Sequence, residues 1–86
     1  MKLSTNTLKQ MKTYLVIQTA DVEIVGLDVH ETKKTAVNQF EAIMAEDKLT
    51  EPDGDWSDNE LAGTLRIAGD DLACVQLVER EFFKEN

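Results

Sequence analysis

Two stretches of β-type sequence, one helical stretch and two further β-type stretches follow one another along this chain. That order limits its fold more than any other feature. TYLVIQT from Thr13 and VEIVGLDV from Val22 are rich in β-branched and aromatic residues, which suit a pleated, half-buried surface. A polar break at Ala20-Asp21 separates them. GTLRIAG and LACVQLVE repeat the arrangement later, joined through Gly69-Asp70-Asp71. Between the two pairs, Ala36, Val37, Phe40, Ile43 and Met44 recur at three- and four-residue steps, the spacing of one helix face. Thr32 stands where an N-cap belongs, so a helix is predicted over Thr32 to Glu46. Lys33, Lys34, Asn38, Gln39 and Glu41 form its polar side. The expected fold is therefore α+β, β-β-α-β-β: a four-stranded antiparallel sheet with one amphipathic helix on one face.

Parity predicts which residues share a face. A two-residue turn in the first hairpin would align Leu15 and Ile17 with Gly26 and Asp28. An odd loop aligns them with Val25, Leu27 and Val29 in one apolar face, so a three-residue loop is predicted. The same reasoning gives an odd second loop, with Leu65 and Ile67 aligned with Val75 and Leu77. Tyr14, Val16, Ile24, Arg66, Cys74 and Val78 then form the other face, which one helix leaves open to water, to a second copy or to a partner.

The 86 residues make one modest domain. Residues 1–12, with Lys2, Lys9 and Lys12, read as a flexible or weakly structured lead, and 13–86 as the domain. At the other end EREFFKEN carries Phe82 and Phe83, one expected on the domain edge and one exposed. No apolar run approaches the ~20 residues a bilayer demands, and MKLSTNTLKQMK lacks the apolar core of a secretory signal. The expected location is the cytosol, of a bacterium or of an infected host cell. Cys74 is the single cysteine and His30 the single histidine, so neither a disulfide frame nor a transition-metal cluster is expected. Cys74, inside LACVQLV, reads as a small buried hydrophobe.

Charge is the feature that points toward function. The net charge is −8, and it is not spread evenly. Between Glu41 and Glu60 stand eight acids, against Lys48 alone. The candidate partner-binding residues are Glu46, Asp47, Glu51, Asp53, Asp55, Asp58 and Glu60, with Trp56 among them as an aromatic anchor. Carboxylates spaced along a helix and loop imitate the phosphates of a nucleic acid strand, and a basic groove would attract them in a salt-sensitive way. A solvated acidic loop with no partner is the plainer alternative, with Trp56 folded back over the sheet edge.

Catalysis finds little support. Asp53, Asp55, Ser57 and Asn59 alternate like the first ligands of a calcium loop. However, Asp58 stands where that loop needs glycine, and Thr64 where it needs a bidentate glutamate. No glycine-rich phosphate loop or serine-nucleophile motif occurs, and no basic patch interleaved with aromatics suits direct nucleic-acid binding. No cofactor or metal is implied. In size, charge and element order the chain is similar in general character to phage and mobile-element inhibitors of host defence, including anti-CRISPR proteins and DNA mimics. That likeness rests on no motif and carries over no functional residue. The reading is a non-catalytic domain that binds a basic protein surface, such as that of a nucleic-acid-binding complex. The alternative is a structural module that homodimerises through its open sheet face or an edge strand.

Overall fold

A computed structural model describes residues 8–21, 23–52 and 60–85, with side chains from Gln10 to Phe82. Its elements are β1 (Leu8–Ala20), β2 (Glu23–His30), α1 (Lys33–Glu46), β3 (Thr64–Gly69) and β4 (Ala73–Glu85). The strands form one antiparallel sheet in the order β2-β1-β4-β3, so the expected α+β fold is the observed one. β1 begins at Leu8 rather than Thr13, and β4 continues through the Phe82 tail. The two long strands pair without a break from Leu8↔Glu85 to Ala20↔Ala73. β2 joins β1 only from Tyr14 onward, and β3 joins β4 only as far as Val78. Beyond those points the central strands continue as a two-stranded ribbon roughly 20 Å long.

The first hairpin keeps the expected partners through an unexpected turn. Leu15 does lie opposite Val29, and Ile17 opposite Leu27. The turn that achieves this is not three residues long, since Ala20 pairs with Glu23. Asp21 takes a left-handed conformation there, with φ 50°, and the register then slips between Gln18 and Thr19. One extra residue, Val25, enters β2 as a bulge and restores the parity that the short turn would have lost.

The second hairpin departs from expectation. Gly69 pairs with Cys74, which leaves Asp70 to Ala73 between them, an even number. Ile67 therefore faces Gln76, while Val75 and Leu77 lie opposite Ala68 and Arg66. Asp70 holds this turn: its carboxylate accepts the backbone N–H groups of Leu72 (2.9 Å) and Ala73 (3.2 Å), a local bond that competes well in turns. Gly69 has φ 103°, and a Cβ there would run into the Ala73 carbonyl.

In β1 and β3 the faces are the reverse of those expected, whereas in β4 Val75 and Leu77 keep the covered side. α1 covers the side carrying Val16, Ala68, Val75 and Leu77, all fully buried with Ala36 and Phe40, and Tyr14 packs at its margin. Sequence parity had assigned Tyr14 and Val16 to the open side. Small residues explain the choice: Ala68, Val16 and Val75 leave room for the Phe40 ring, and dense packing is worth more than matching the greasiest stripe. Because β2 and β3 are opposite edges, the chain must cross the whole sheet to connect them. Fourteen helical residues span about 21 Å, enough to bridge four strands at ~4.8 Å spacing.

The helix is capped as predicted at its start and less well at its end. Thr32 Oγ1 accepts the Thr35 N–H at 3.3 Å. At the other end Leu49 N–H donates to Met44 O (2.8 Å) and Lys48 N–H to Ala45 O (3.4 Å), the paired bonds of a Schellman motif. Leu49 and Met44 both pack on the core. The motif places Lys48 at φ 56°, where a Cβ is disfavoured. Lys48→Gly is expected to raise stability by about 0.5–1 kcal/mol, measured as a higher urea midpoint with an unchanged slope.

Candidate functional site

The acidic segment begins where α1 ends. Glu46 is the last helical residue and Asp47 the C-cap; both are exposed, and the last turn carries no base. Carboxylates at this end face the negative pole of the helix, at a cost of some tenths of a kcal/mol each. At the opposite end Lys33 and Lys34 open the helix with no acid in its first turn, so that pole is opposed as well.

Not all of the segment points to solvent chemistry. Arg66 in β3 lies on the helix side of the sheet, its guanidinium 4.8 Å from the centre of the Phe40 ring. Its Nη2 donates to Glu51 Oε1 at 2.6 Å and its Nε to Glu51 Oε2 at 3.3 Å, a two-point clamp. Its Nη1 donates to Glu41 Oε2 at 3.1 Å. Arg66 thus takes up two of the segment's charges and fastens the chain after the helix to β3. Gly69 N–H donating to Thr50 O (2.9 Å) makes a second tie. The Arg66 hydrogen bond, helped by its charge and opposed by slight burial, holds the Glu51 carboxyl below its ordinary 4.5. Glu60 is exposed. Asp53, Asp55, Trp56 and Asp58 lie outside the described residues, as do the calcium-like positions Ser57 and Asn59. Of the candidate site, the structure therefore locates Glu46, Asp47, Glu51 and Glu60, and it converts Glu51 from a presented charge into an internal tie.

A second surface lies on the opposite edge. In β2, Ile24, Val25 and Val29 are each 65% exposed and Leu27 55%. Parity places Val25, Leu27 and Val29 on the covered face and Ile24 on the open one, and the structure leaves all four exposed. At the other edge of the same sheet face, Gln76 is 1% exposed and Ile67 2%. There the Gln76 Oε1 accepts the Leu61 N–H (2.9 Å) and the Thr64 hydroxyl (3.0 Å). Arg80 also donates to the Ala62 carbonyl, so the chain entering β3 is tied down along β4. No comparable tie reaches the open face of β2 among the described residues.

On its helix side β2 is polar and well organised. Gln39 Nε2 donates to Asp28 Oδ2 at 2.7 Å, which turns the Gln39 carbonyl oxygen toward His30 Nε2 at 2.6 Å. That ring nitrogen therefore carries the proton, and Nδ1 meets the Thr35 hydroxyl at 3.1 Å. His30 is a structural bridge between β2 and α1. It stands at the Tyr14 level and Cys74 at the Thr19 level, about 17 Å apart along β1, too far to form a nucleophile–base pair. Cys74 is 3% exposed. Burial first, then Asp70 and Asp71, push its thiol up against a Thr19 hydrogen bond that lowers it, so it stays protonated and unreactive.

An open hollow of about 480 Å³ lies beside the ribbon, lined by Met11, Lys12, Thr13, Glu31, Thr32 and Phe82. It gathers one lysine, one glutamate and two threonines, Thr32 already serving as the helix N-cap. Among the described residues no cluster of three or more His, Cys, Asp or Glu is arranged to hold a metal, and no helix is long and apolar enough to cross a membrane. Compared with protein-family models, with curated proteins and with solved structures, the chain matches none.

Glu51→Gln is expected to lower stability by less than about 1 kcal/mol near pH 7, since the pair is partly exposed. The sign follows from the direction of the shift. A carboxyl depressed in the folded state stabilises it above 4.5 and loses that contribution as the pH falls. Urea melts of parent and variant should therefore differ near pH 7 and converge as the pH falls through the depressed pKa of the Glu51 carboxyl.

Proposed function

We propose that this chain is a non-catalytic protein-binding domain that meets a basic surface through the acidic end of α1 and the segment beyond it. The observation that supports this reading is the charge of α1 at its poles. Glu46 and Asp47 stand exposed at the negative pole, with no base in that turn, and Lys33 and Lys34 stand at the positive pole. This arrangement costs the helix stability at both ends. A partner that supplies positive charge would turn the cost at the acidic end into attraction.

The surface this describes is narrower than the acidic segment as a whole. Arg66 withdraws Glu41 and Glu51, which leaves Glu46, Asp47 and Glu60 of the described residues. Asp53, Asp55 and Asp58 add charge through the sequence alone, with Trp56 as the aromatic anchor. The matching partner is a basic face built to hold phosphates, as on a nucleic-acid-binding protein or complex. The domain would act there as an inhibitor by occupying the nucleic acid's place. The exposed apolar side of β2 favours a second reading, an assembly module, in which that edge is the working surface.

The test of the acidic reading is capture of proteins at low salt from a lysate of the source cell. The baits are the parent chain and a variant carrying Glu46→Gln, Asp47→Asn, Asp55→Asn and Asp58→Asn. The parent is expected to retain basic nucleic-acid-binding proteins that moderate salt releases, and the variant to lose about tenfold or more in retention. Identical captures by both baits would show that the carboxylates are not the contact.

A further inference from the structure

We propose that the open side of β2 is a docking strip for an amphipathic helix of a partner protein, one with an apolar stripe and basic flanks. The inference takes up the reading of β2 as a working surface and is independent of the acidic end of α1.

The open face of the sheet is divided lengthwise. On its β4–β3 half, Ile67, Cys74, Gln76 and Val78 are each 3% exposed or less, although α1 packs on the opposite side. The Leu61 N–H and the Thr64 hydroxyl stand on the Gln76 carbonyl oxygen there, and Arg80 fastens the Ala62 carbonyl. On the other half, the register sets Ile24, Leu27 and Val29 of β2 beside Thr19, Ile17 and Leu15 of β1. Ile17 is buried and Leu15 half-buried at the boundary. The four apolar residues of β2, with Val25 in the bulge, are all more than half exposed. Together they present on the order of a few hundred Å² of apolar surface, the size at which a patch marks an interaction site.

This division selects the shape of the occupant. β2 and the near side of β1 make a strip about 10 Å wide, with the Leu61–Thr64 stretch as a shoulder along the covered half. A helix with its side chains is about 10–12 Å across and fits beside such a shoulder. A second sheet laid flat over four strands would collide with it. The eight residues of β2 extend about 26 Å, the length of about 17 helical residues. A helix of that length with apolar residues at three- and four-residue steps covers the strip from end to end.

Charge selects the kind of helix. The floor of the strip is neutral, but its turn end is acidic. Asp21 and Glu23 of the first hairpin and Asp70 and Asp71 of the second are all exposed. The two turns meet where the Asp21 N–H donates to the Leu72 carbonyl at 3.3 Å. No base occurs in residues 20–24 or 69–73. Lysines or arginines beside the apolar stripe, gathered toward one end of the helix, complement that rim, and the net charge of −8 draws them in. A second copy of this chain would bring the same negative charge and be repelled.

The test is fluorescence anisotropy of a labelled synthetic peptide of about 17 residues, titrated with the full chain at physiological salt. The peptide is alanine-rich, with leucines on one helix face and lysines beside them toward one end. Saturable binding is expected, and a peptide of the same composition with its leucines scattered round the helix should bind about tenfold more weakly or worse. Leu27→Lys and Val29→Lys should each weaken binding by about tenfold or more while circular dichroism shows the fold intact. Leu65→Lys, exposed on the far edge strand, should leave it unchanged. The four-acid variant should bind the peptide as the parent does, since salt screens its distant charges, and this separates the inference from the fate of the acidic reading. Absence of saturable binding, equal binding of the two peptides, or binding indifferent to both Leu27→Lys and Val29→Lys would overturn the helix. So would a dimer in sedimentation equilibrium that Leu27→Lys abolishes, a result that keeps β2 as a working surface but gives the strip to a second copy.

Discussion

The pairing of β1 with β4 is the interaction on which every other part of this molecule depends. It runs the full length of both strands, from Leu8↔Glu85 to Ala20↔Ala73, and it places Val16, Val75 and Leu77 side by side as the floor on which Phe40 and Ala36 pack. β2 and β3 are each bonded to only one of these strands. The helix crosses from one outer strand to the other and has no core of its own without them. This foundation is also the least local contact in the chain. Loop closure across almost the whole sequence must precede it, so the two hairpins and the helix are the pieces that can form early and dock late.

Charge is organised around that frame with two different ends in view. Arg66 reaches across the Phe40 ring to hold Glu41 and Glu51, and there the carboxylates serve the fold, pinning the chain beyond the helix to the edge it must enter next. At Glu46 and Asp47 the carboxylates do the fold no service and oppose the helix dipole. One run of acids in the sequence thus divides into structural and presented members. The division depends on a single arginine contributed by a strand far along the chain.

Element order, the helix span and the Thr32 cap were legible because each is written in neighbouring residues: a three-and-four apolar rhythm, a β-branched run, a threonine at the right step. The partners Leu15–Val29 and Ile17–Leu27 were legible from parity, but the means were not. A bulge such as Val25 shifts parity by one residue without a sequence signature. In the second hairpin the Asp70 carboxylate stabilised an even turn, and that reversed which face of β3 meets the helix. The exposure of β2 was hidden for a further reason. A strand's own pattern records which side is apolar, not whether the strand ends up in the middle of a sheet or at its border. The acidic concentration was plain as composition, whereas its neutralisation by Arg66 was not, because side chains distant in sequence meet only in the fold.

The unbroken Leu8↔Glu85 to Ala20↔Ala73 ladder also says something about how the chain could be rewired. Residues facing each other across an antiparallel pair have Cα atoms about 4.5–5.5 Å apart, so Glu85 could be joined to Leu8 by a short turn and new ends opened elsewhere. In such a circular permutant the most distant contact in the sequence would become a hairpin, and the slowest step of assembly would become a local one.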